Sequence, residues 1–269
     1  MNAQPTIVVV LLQKNMLDDH FYPINWGIRP VLFHVGSFEV QAYSFFVLLG
    51  LVVGVVIYFY ESKRHKRLSE NGFFIAVGSI FGGIIGAKIL ELIINYKFVI
   101  SNISNLALLF SGRTLVGGLI GGAMGAILTK KILGIKEKRG NYFAPAIAMG
   151  VAIGRLGCFF RGCCFGKPTN LPWGVNFGDN IPRHPTQLYE SLFMLVMFIY
   201  LEKIKDSKDI KPGQLFKLLM ISYFLFRFFI EFIRVEQVAF MGLTSFQLIS
   251  IGVIIYLIRD NIKKINFLN

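Results

Sequence analysis

Charge is scarce in this sequence, and acidic charge is scarcest. Asp, Glu, Lys and Arg make up 16% of the 269 residues, where a soluble domain carries about 25%. With 54% of residues hydrophobic and a mean hydropathy of +0.60, a soluble α-protein is a poor description. Fifteen acidic residues face 28 basic ones, giving a net charge of +13. In a soluble protein that excess points to nucleic acid. Here most Lys and Arg fall in alternate loops between apolar runs, and no aromatic-interleaved basic patch is left over. A membrane partner is therefore expected and no nucleic acid.

Only three cysteines occur, Cys158, Cys163 and Cys164, all in one short segment. The odd count argues against a complete disulfide framework. Their C-x4-C-C spacing, with no histidine nearby, lacks the C-x-x-C pair and distant partners that a zinc site takes. No metal is expected, and small buried hydrophobes are one reading of these thiols. No nucleotide or flavin motif is present, so no cofactor is expected. The first apolar stretch, Ile7 to Leu12, is shorter than the signal-peptide core of about 7–15 residues and has no basic leader. No linker, composition shift or repeat divides the chain. A single membrane domain over 1–269 is expected, with 1–41 as an N-terminal arm broken by Pro5, Pro23 and Pro30 and 42–269 as the core.

What is present is a series of apolar runs near the bilayer length of about 20 residues. They run from about Ala42 to Tyr60, Gly72 to Ile94, Leu106 to Leu128, Phe143 to Phe160, Leu188 to Leu201, Leu215 to Ile233 and Phe246 to Ile258. The third is interrupted by Ser111, Gly112 and Arg113. An all-α integral membrane protein of about seven transmembrane helices is expected. Dense basic clusters follow the first, third, fifth and seventh runs, which puts the N-terminus outside and the C-terminus in the cytoplasm.

Glycines concentrate in the second to fourth runs. Gly117 with Gly121, and Gly118 with Gly122, have the spacing that lets helices approach closely in lipid. The same glycines would also give a lipid headgroup room beside the backbone.

Six charged residues fall where the bilayer should be: Lys88, Glu91, Arg113, Arg155, Arg227 and Glu231. A charge at mid-bilayer costs at least about 2.5–3.5 kcal/mol, so such residues face a bundle interior or a wet cavity. Lys88 and Glu91 are spaced to neutralise each other, as are Arg227 and Glu231, with Tyr223 one turn before. Arg155 has no acid three or four residues away and needs a distant partner or an anionic ligand. Arginine is the residue best suited to hold a phosphate. Buried arginines beside glycine-rich walls point to a phospholipid headgroup site.

The segment Gly154-Arg155-Leu156-Gly157-Cys158-Phe159-Phe160-Arg161-Gly162-Cys163-Cys164-Phe165-Gly166-Lys167-Pro168 resembles the signature of bacterial prolipoprotein diacylglyceryl transferases. Three other blocks resemble that family in the same order. They are Gly117-Gly118-Leu119-Ile120-Gly121-Gly122, His184-Pro185-Thr186-Gln187-Leu188-Tyr189-Glu190, and Tyr223-x-x-x-Arg227-Phe228-x-x-Glu231-Phe232-x-Arg234. Tyr43 matches a tyrosine the family places at the start of its first span. The resemblance covers roughly Phe38 to the C-terminus.

The resemblance implies a multi-pass enzyme of the bacterial plasma (inner) membrane. It would move the diacylglyceryl group of phosphatidylglycerol to the lipobox cysteine of a prolipoprotein signal peptide, releasing glycerol phosphate. Arg155 and Arg227 would then be the catalytic cations, with Arg113 a weaker third. Tyr43 and Tyr223 would donate hydrogen bonds to the headgroup, and Glu231 would orient Arg227. Gly117, Gly118, Gly154 and Gly166 would allow close backbone approach. Gln187 and Glu190 would support the site from behind or simply pack.

The sequence departs from the pattern where the family carries a histidine, thought to be the base that activates the acceptor thiol. That position is Val116, which takes no proton. The family's asparagine and glutamate fall at Cys158 and Cys163. Three explanations stay open: a thiol ionised by neighbouring cations, a substitute base among His184, Glu231, Cys158 and Cys163, or a divergent enzyme with another acceptor. A non-enzymatic lipid carrier is a further alternative, weakened by the lack of the repeats that transporters often show.

Overall fold

The long apolar runs become helices, the fourth with Pro145 inside it. The computed structural model describes residues 27–65, 70–101, 112–136 and 139–266. Among these are seven helices of 17 residues or more: α1 (Ala42–Arg64), α2 (Glu70–Ile94), α4 (Leu115–Ile132), α5 (Gly140–Arg161), α6 (Thr186–Ile204), α7 (Gln214–Ile230) and α8 (Ser245–Asn266). A six-residue helix, α3 (Tyr96–Ser101), follows α2. Four of them, α1, α2, α4 and α5, are long and apolar enough to cross a membrane. They leave Leu48, Val56, Phe81, Ile84 and Ile127 more than half exposed, which water would penalise and lipid would not.

Local chemistry sets several boundaries. The Thr114 hydroxyl accepts a hydrogen bond from the Gly117 amide at 3.2 Å and opens α4. Gly162, at φ +75°, ends α5 in the left-handed conformation that glycine adopts freely. The third apolar run was expected from Leu106. Its helix begins only at Leu115, and 102–111 lie outside the described residues. The sixth run was expected as helix to Ile233. It leaves α-geometry at Ile230, and Glu231–Ile233 form a single 3-10 turn.

The N-terminal arm was expected only to lack a long helix, and its last residues form a hairpin. Strands β1 (Val31–Val35) and β2 (Phe38–Gln41) pair antiparallel just before α1. Two smaller pairs follow: β3 (Val175–Asn176) with β4 (Pro182–Arg183), and β5 (Val238–Phe240) with β6 (Leu243–Thr244).

Glycine fixes the helix contacts. A Cβ placed on Gly82 would lie 2.4 Å from the Gly121 carbonyl, and one on Gly86 would lie 2.5 Å from the Gly117 carbonyl. Helices α2 and α4 therefore touch backbone to backbone. Gly50 of α1 meets the Gly150 carbonyl of α5 at 2.4 Å in the same sense. The main core lies on the other side of α5, where Met194, Leu219, Tyr223, Phe224 and Phe246 pack with Val116 and Ala152. Between the α1–α5 pair and the α2–α4 pair lies a cavity of about 780 Å³ with a mainly apolar wall.

Candidate active site

Three chain segments bring charge to one place. The last turns of α5 carry Arg155 and Cys158, the first turns of α6 carry Gln187 and Glu190, and the end of α7 carries Tyr223 and Arg227. The 3-10 turn after α7 adds Glu231, and the chain beyond it adds Arg234 and Glu236.

Glu190 is the hub. Its two carboxylate oxygens each lie 2.8 Å from Arg155 Nη2, and it accepts a 3.0 Å hydrogen bond from the Tyr223 hydroxyl. Arg227 Nη1 is 4.0 Å away on the far side. Arg227 Nη2 pairs with Glu231 at 3.0 Å, and its guanidinium carbon sits 4.6 Å from the centre of the Phe246 ring. Arg234 pairs with Glu236 at 2.8 Å and approaches Glu231 at 3.8 Å. Arg155, Glu190, Arg227, Glu231 and Arg234 are all buried. Three guanidiniums against three carboxylates leave the cluster near neutral, which is how a buried network avoids prohibitive desolvation.

Satisfaction is incomplete. Arg155 Nε and Arg227 Nε and Nη1 have no hydrogen-bond partner among the described residues. A buried donor without a partner costs about 1–3 kcal/mol, so such groups call for an explanation. An oxyanion ligand is one that suits guanidinium.

The expected distant partner of Arg155 is thus Glu190, 35 positions away in sequence. Glu190, expected to support the site from behind or simply to pack, holds the cavity-lining Arg155 directly. Glu231 sits against Arg227 as its spacing suggested. Lys88 and Glu91 pair at 2.7 Å. Arg234 and Glu236 were not singled out from the sequence. Arg234 stood in a quoted block, three residues after Glu231, and that spacing was the available signal.

The cavity sorts the remaining candidates. Arg155, Arg113, Tyr43, Cys158, Cys164, Gly118 and Gly154 line it. A Cβ on Gly154 would meet nothing within 4 Å, so this glycine leaves open space beside Arg155. Arg227, Tyr223 and Glu231 lie behind Arg155, across Glu190. Gly117, for which helix packing and room for a headgroup were both open, makes the close contact with Gly86. Gly166, expected to allow close backbone approach, bridges to Arg234, and a Cβ on it would lie 2.6 Å from the Ile233 carbonyl. Val116, at the family's histidine position, is 1% exposed inside the main core. His184 is not among the cavity-lining residues, and its Nδ1 lies 3.4 Å from the Tyr189 hydroxyl. His34 is on the exposed hairpin, paired with Glu39 at 3.5 Å.

The cysteine segment is held from all sides. After the Gly162 turn, the Cys163 amide returns to the Cys158 carbonyl at 3.1 Å. Cys164 adopts φ +62°, a left-handed conformation unusual for a residue with a Cβ. Gln187 Nε2 binds the Cys163 carbonyl at 2.5 Å, and the Cys164 carbonyl accepts from Thr186 Oγ1 at 2.5 Å and Arg234 Nη1 at 2.8 Å. All three thiol sulfurs lie within 4.8 Å of one another, and all three residues are buried. Arg155 Nη1 donates to Cys158 Sγ at 3.8 Å.

A protein-family model described as prolipoprotein diacylglyceryl transferase matches residues 30–259. The chain is 33% identical over 250 residues to the phosphatidylglycerol–prolipoprotein diacylglyceryl transferase of Clostridium tetani, covering 88% of this chain and 100% of that protein. It is 32% identical over 231 residues to the enzyme of that name from Finegoldia magna, covering 84% of this chain and 91% of the relative. For Clostridioides difficile the figures are 31% over 245 residues, with 88% and 98% covered.

Proposed function

The chain belongs to the prolipoprotein diacylglyceryl transferase family, and on that premise we propose that it moves the diacylglyceryl group of phosphatidylglycerol to a lipobox cysteine of a prolipoprotein. The observation that carries this reading is Arg155. It is 8% exposed, lines an apolar cavity of about 780 Å³ and keeps an unpartnered Nε donor.

All seven long helices cross the bilayer in this proposal, with the N-terminus outside and the C-terminus in the cytoplasm. Arg155 then lies toward the outer face of the bacterial plasma membrane. The acyl chains of phosphatidylglycerol occupy the cavity between α1–α5 and α2–α4, and the phosphate reaches Arg155 and Arg113. As the acceptor sulfur attacks the glyceryl carbon, the bond from that carbon to the phosphate oxygen breaks and charge collects on the leaving glycerol phosphate. A guanidinium already fixed by Glu190 stabilises that charge without reorganising. Arg227 and Arg234 act one step removed, holding Glu190, Glu231 and the Cys164 carbonyl so that Arg155 keeps its position. Tyr43, which lines the same cavity, donates a hydrogen bond to the headgroup.

The test is reconstitution in phosphatidylglycerol vesicles with a lipobox peptide. The expected result is a peptide mass gain of one diacylglyceryl group with release of glycerol phosphate, lost in Arg155→Ala. A folded chain that binds phosphatidylglycerol and leaves the peptide unmodified would point to another acceptor.

A further inference from the structure

Two of the three cysteines, Cys158 and Cys164, line the cavity, and Cys163 is buried directly behind them. Cys158, Cys163 and Cys164 present three sulfurs within 4.8 Å of one another. A zinc–sulfur bond of about 2.3 Å in tetrahedral geometry sets sulfurs about 3.8 Å apart, a contraction of roughly 1 Å that thiol rotation can supply. The backbone is already committed to this arrangement. The Gly162 turn folds Cys163 back onto Cys158, Cys164 is held at positive φ, and buried donors from Gln187, Thr186 and Arg234 fix both carbonyls. An unusual backbone conformation held from several sides is a mark of a functional constraint.

We propose that the three thiolates bind one zinc ion whose fourth position, on the cavity side, takes the acceptor cysteine. Sequence spacing alone argued against a metal, because C-x4-C-C does not reveal that a helix end folds the last two thiols back onto the first. Three protein ligands with one open position is the arrangement of a catalytic rather than a structural zinc. Cys158 and Cys164 line the cavity, so the open side faces the space next to Arg155. Three thiolates and one zinc carry a net negative charge, which the Arg155 contact to Cys158 Sγ offsets.

Zinc at this point answers the question raised by Val116. A thiol coordinated to zinc is deprotonated outright, so no histidine is needed to take its proton. This role rests on the transferase function proposed above. The acceptor S–H binds with its proton released to water. The bound sulfur then uses an electron pair to form the bond to the glyceryl carbon. The carbon–oxygen bond to phosphate breaks with its pair on oxygen, glycerol phosphate leaves as the anion beside Arg155, and the thioether, a weaker ligand than thiolate, dissociates.

The experiment uses the full chain in detergent, purified without chelator and loaded with zinc. One zinc per chain is expected, and Cys158→Ser or Cys163→Ser should weaken it by more than about 100-fold, beyond the cost of losing an outer hydrogen-bond partner. Helical content and melting temperature identify variants that have kept the fold. Cobalt(II) in place of zinc then reports on the fourth ligand. Its thiolate charge-transfer band should change on adding a lipobox peptide and not on adding the same peptide with serine for cysteine. Full transfer by a chain holding no more zinc than the serine variants overturns the inference and leaves the transferase function standing. A cobalt spectrum indifferent to the peptide thiol overturns the acceptor role. A spectrum that responds to the thiol, with no thioether formed, supports the zinc site and counts against the transferase function.

Discussion

Glu190→Gln removes one negative charge from between two buried guanidiniums. The glutamine keeps the shape, and its one oxygen still accepts from Arg155 and Tyr223, but its amide nitrogen then stands 2.8 Å from Arg155 Nη2, donor against donor. What is lost is the compensation of Arg155 at 2.8 Å and Arg227 at 4.0 Å. At an effective dielectric of about 20, a unit pair 4 Å apart interacts by about 4 kcal/mol. Breaking a buried pair from one side costs about 3–5 kcal/mol. The lost acceptor beside Arg155 adds to the lost charge, so the expected loss falls in that range, about 3–5 kcal/mol. Thermal unfolding in detergent, with a matched denaturant series, reads it. The double substitution Arg155→Met with Glu190→Leu removes both charges and replaces them with apolar volume, and it should recover most of that stability while remaining inactive. If the single and double variants lose equal stability, uncompensated charge is not the cause and the electrostatic account of the cluster fails.

Val116→His should not raise transfer activity, because the position is sealed in the main core; an imidazole buried there without a partner should lower stability by about 1–3 kcal/mol in the same melt. A rise in activity would show that this position reaches the acceptor thiol. Gly121→Ala places a Cβ 2.3 Å from the Gly82 carbonyl, so α2 and α4 must separate; folded yield should drop, whereas Gly154→Ala, with nothing within 4 Å, should fold normally. Lys205, at the end of α6, pairs with Glu61 at 2.7 Å and Glu202 at 2.5 Å. Burial pulls its pKa down, but hydrogen bonds to Glu202 and Glu61 outweigh that and hold it above the ordinary lysine value. A raised lysine pKa gives stabilisation that is complete below the unfolded pKa of about 10.4 and lost as pH rises through the folded value. The stability gap between wild type and Lys205→Met should stay level from neutral pH to about 10 and close above it. A gap that closes near neutral pH would contradict this.

Helix positions were readable because apolar runs are long and charges cut them off. The second run, expected over 72–94, is the helix Glu70–Ile94, and the fourth, expected over 143–160, is Gly140–Arg161. The hairpins were not readable, since β1 and β2 present an exposed mixture with no clean alternation. Within the site, contacts inside one helix were legible from spacing, as with Arg227 and Glu231. Contacts between helices were not. Nothing local links Arg155 to Glu190, and nothing in C-x4-C-C announces three converging sulfurs. Both depend on how α5 ends and how α6 docks beside it, which is tertiary information.

The most direct test of the central claim is the turnover of Arg155→Lys in phosphatidylglycerol vesicles. Lysine keeps the charge but loses the planar, multiply donating head. If Arg155 acts on charge that develops as glycerol phosphate leaves, kcat and kcat/KM should fall together, by about 100- to 1,000-fold, with KM nearly unchanged. A variant that turns over at the wild-type rate, or one in which only KM rises, would contradict the account.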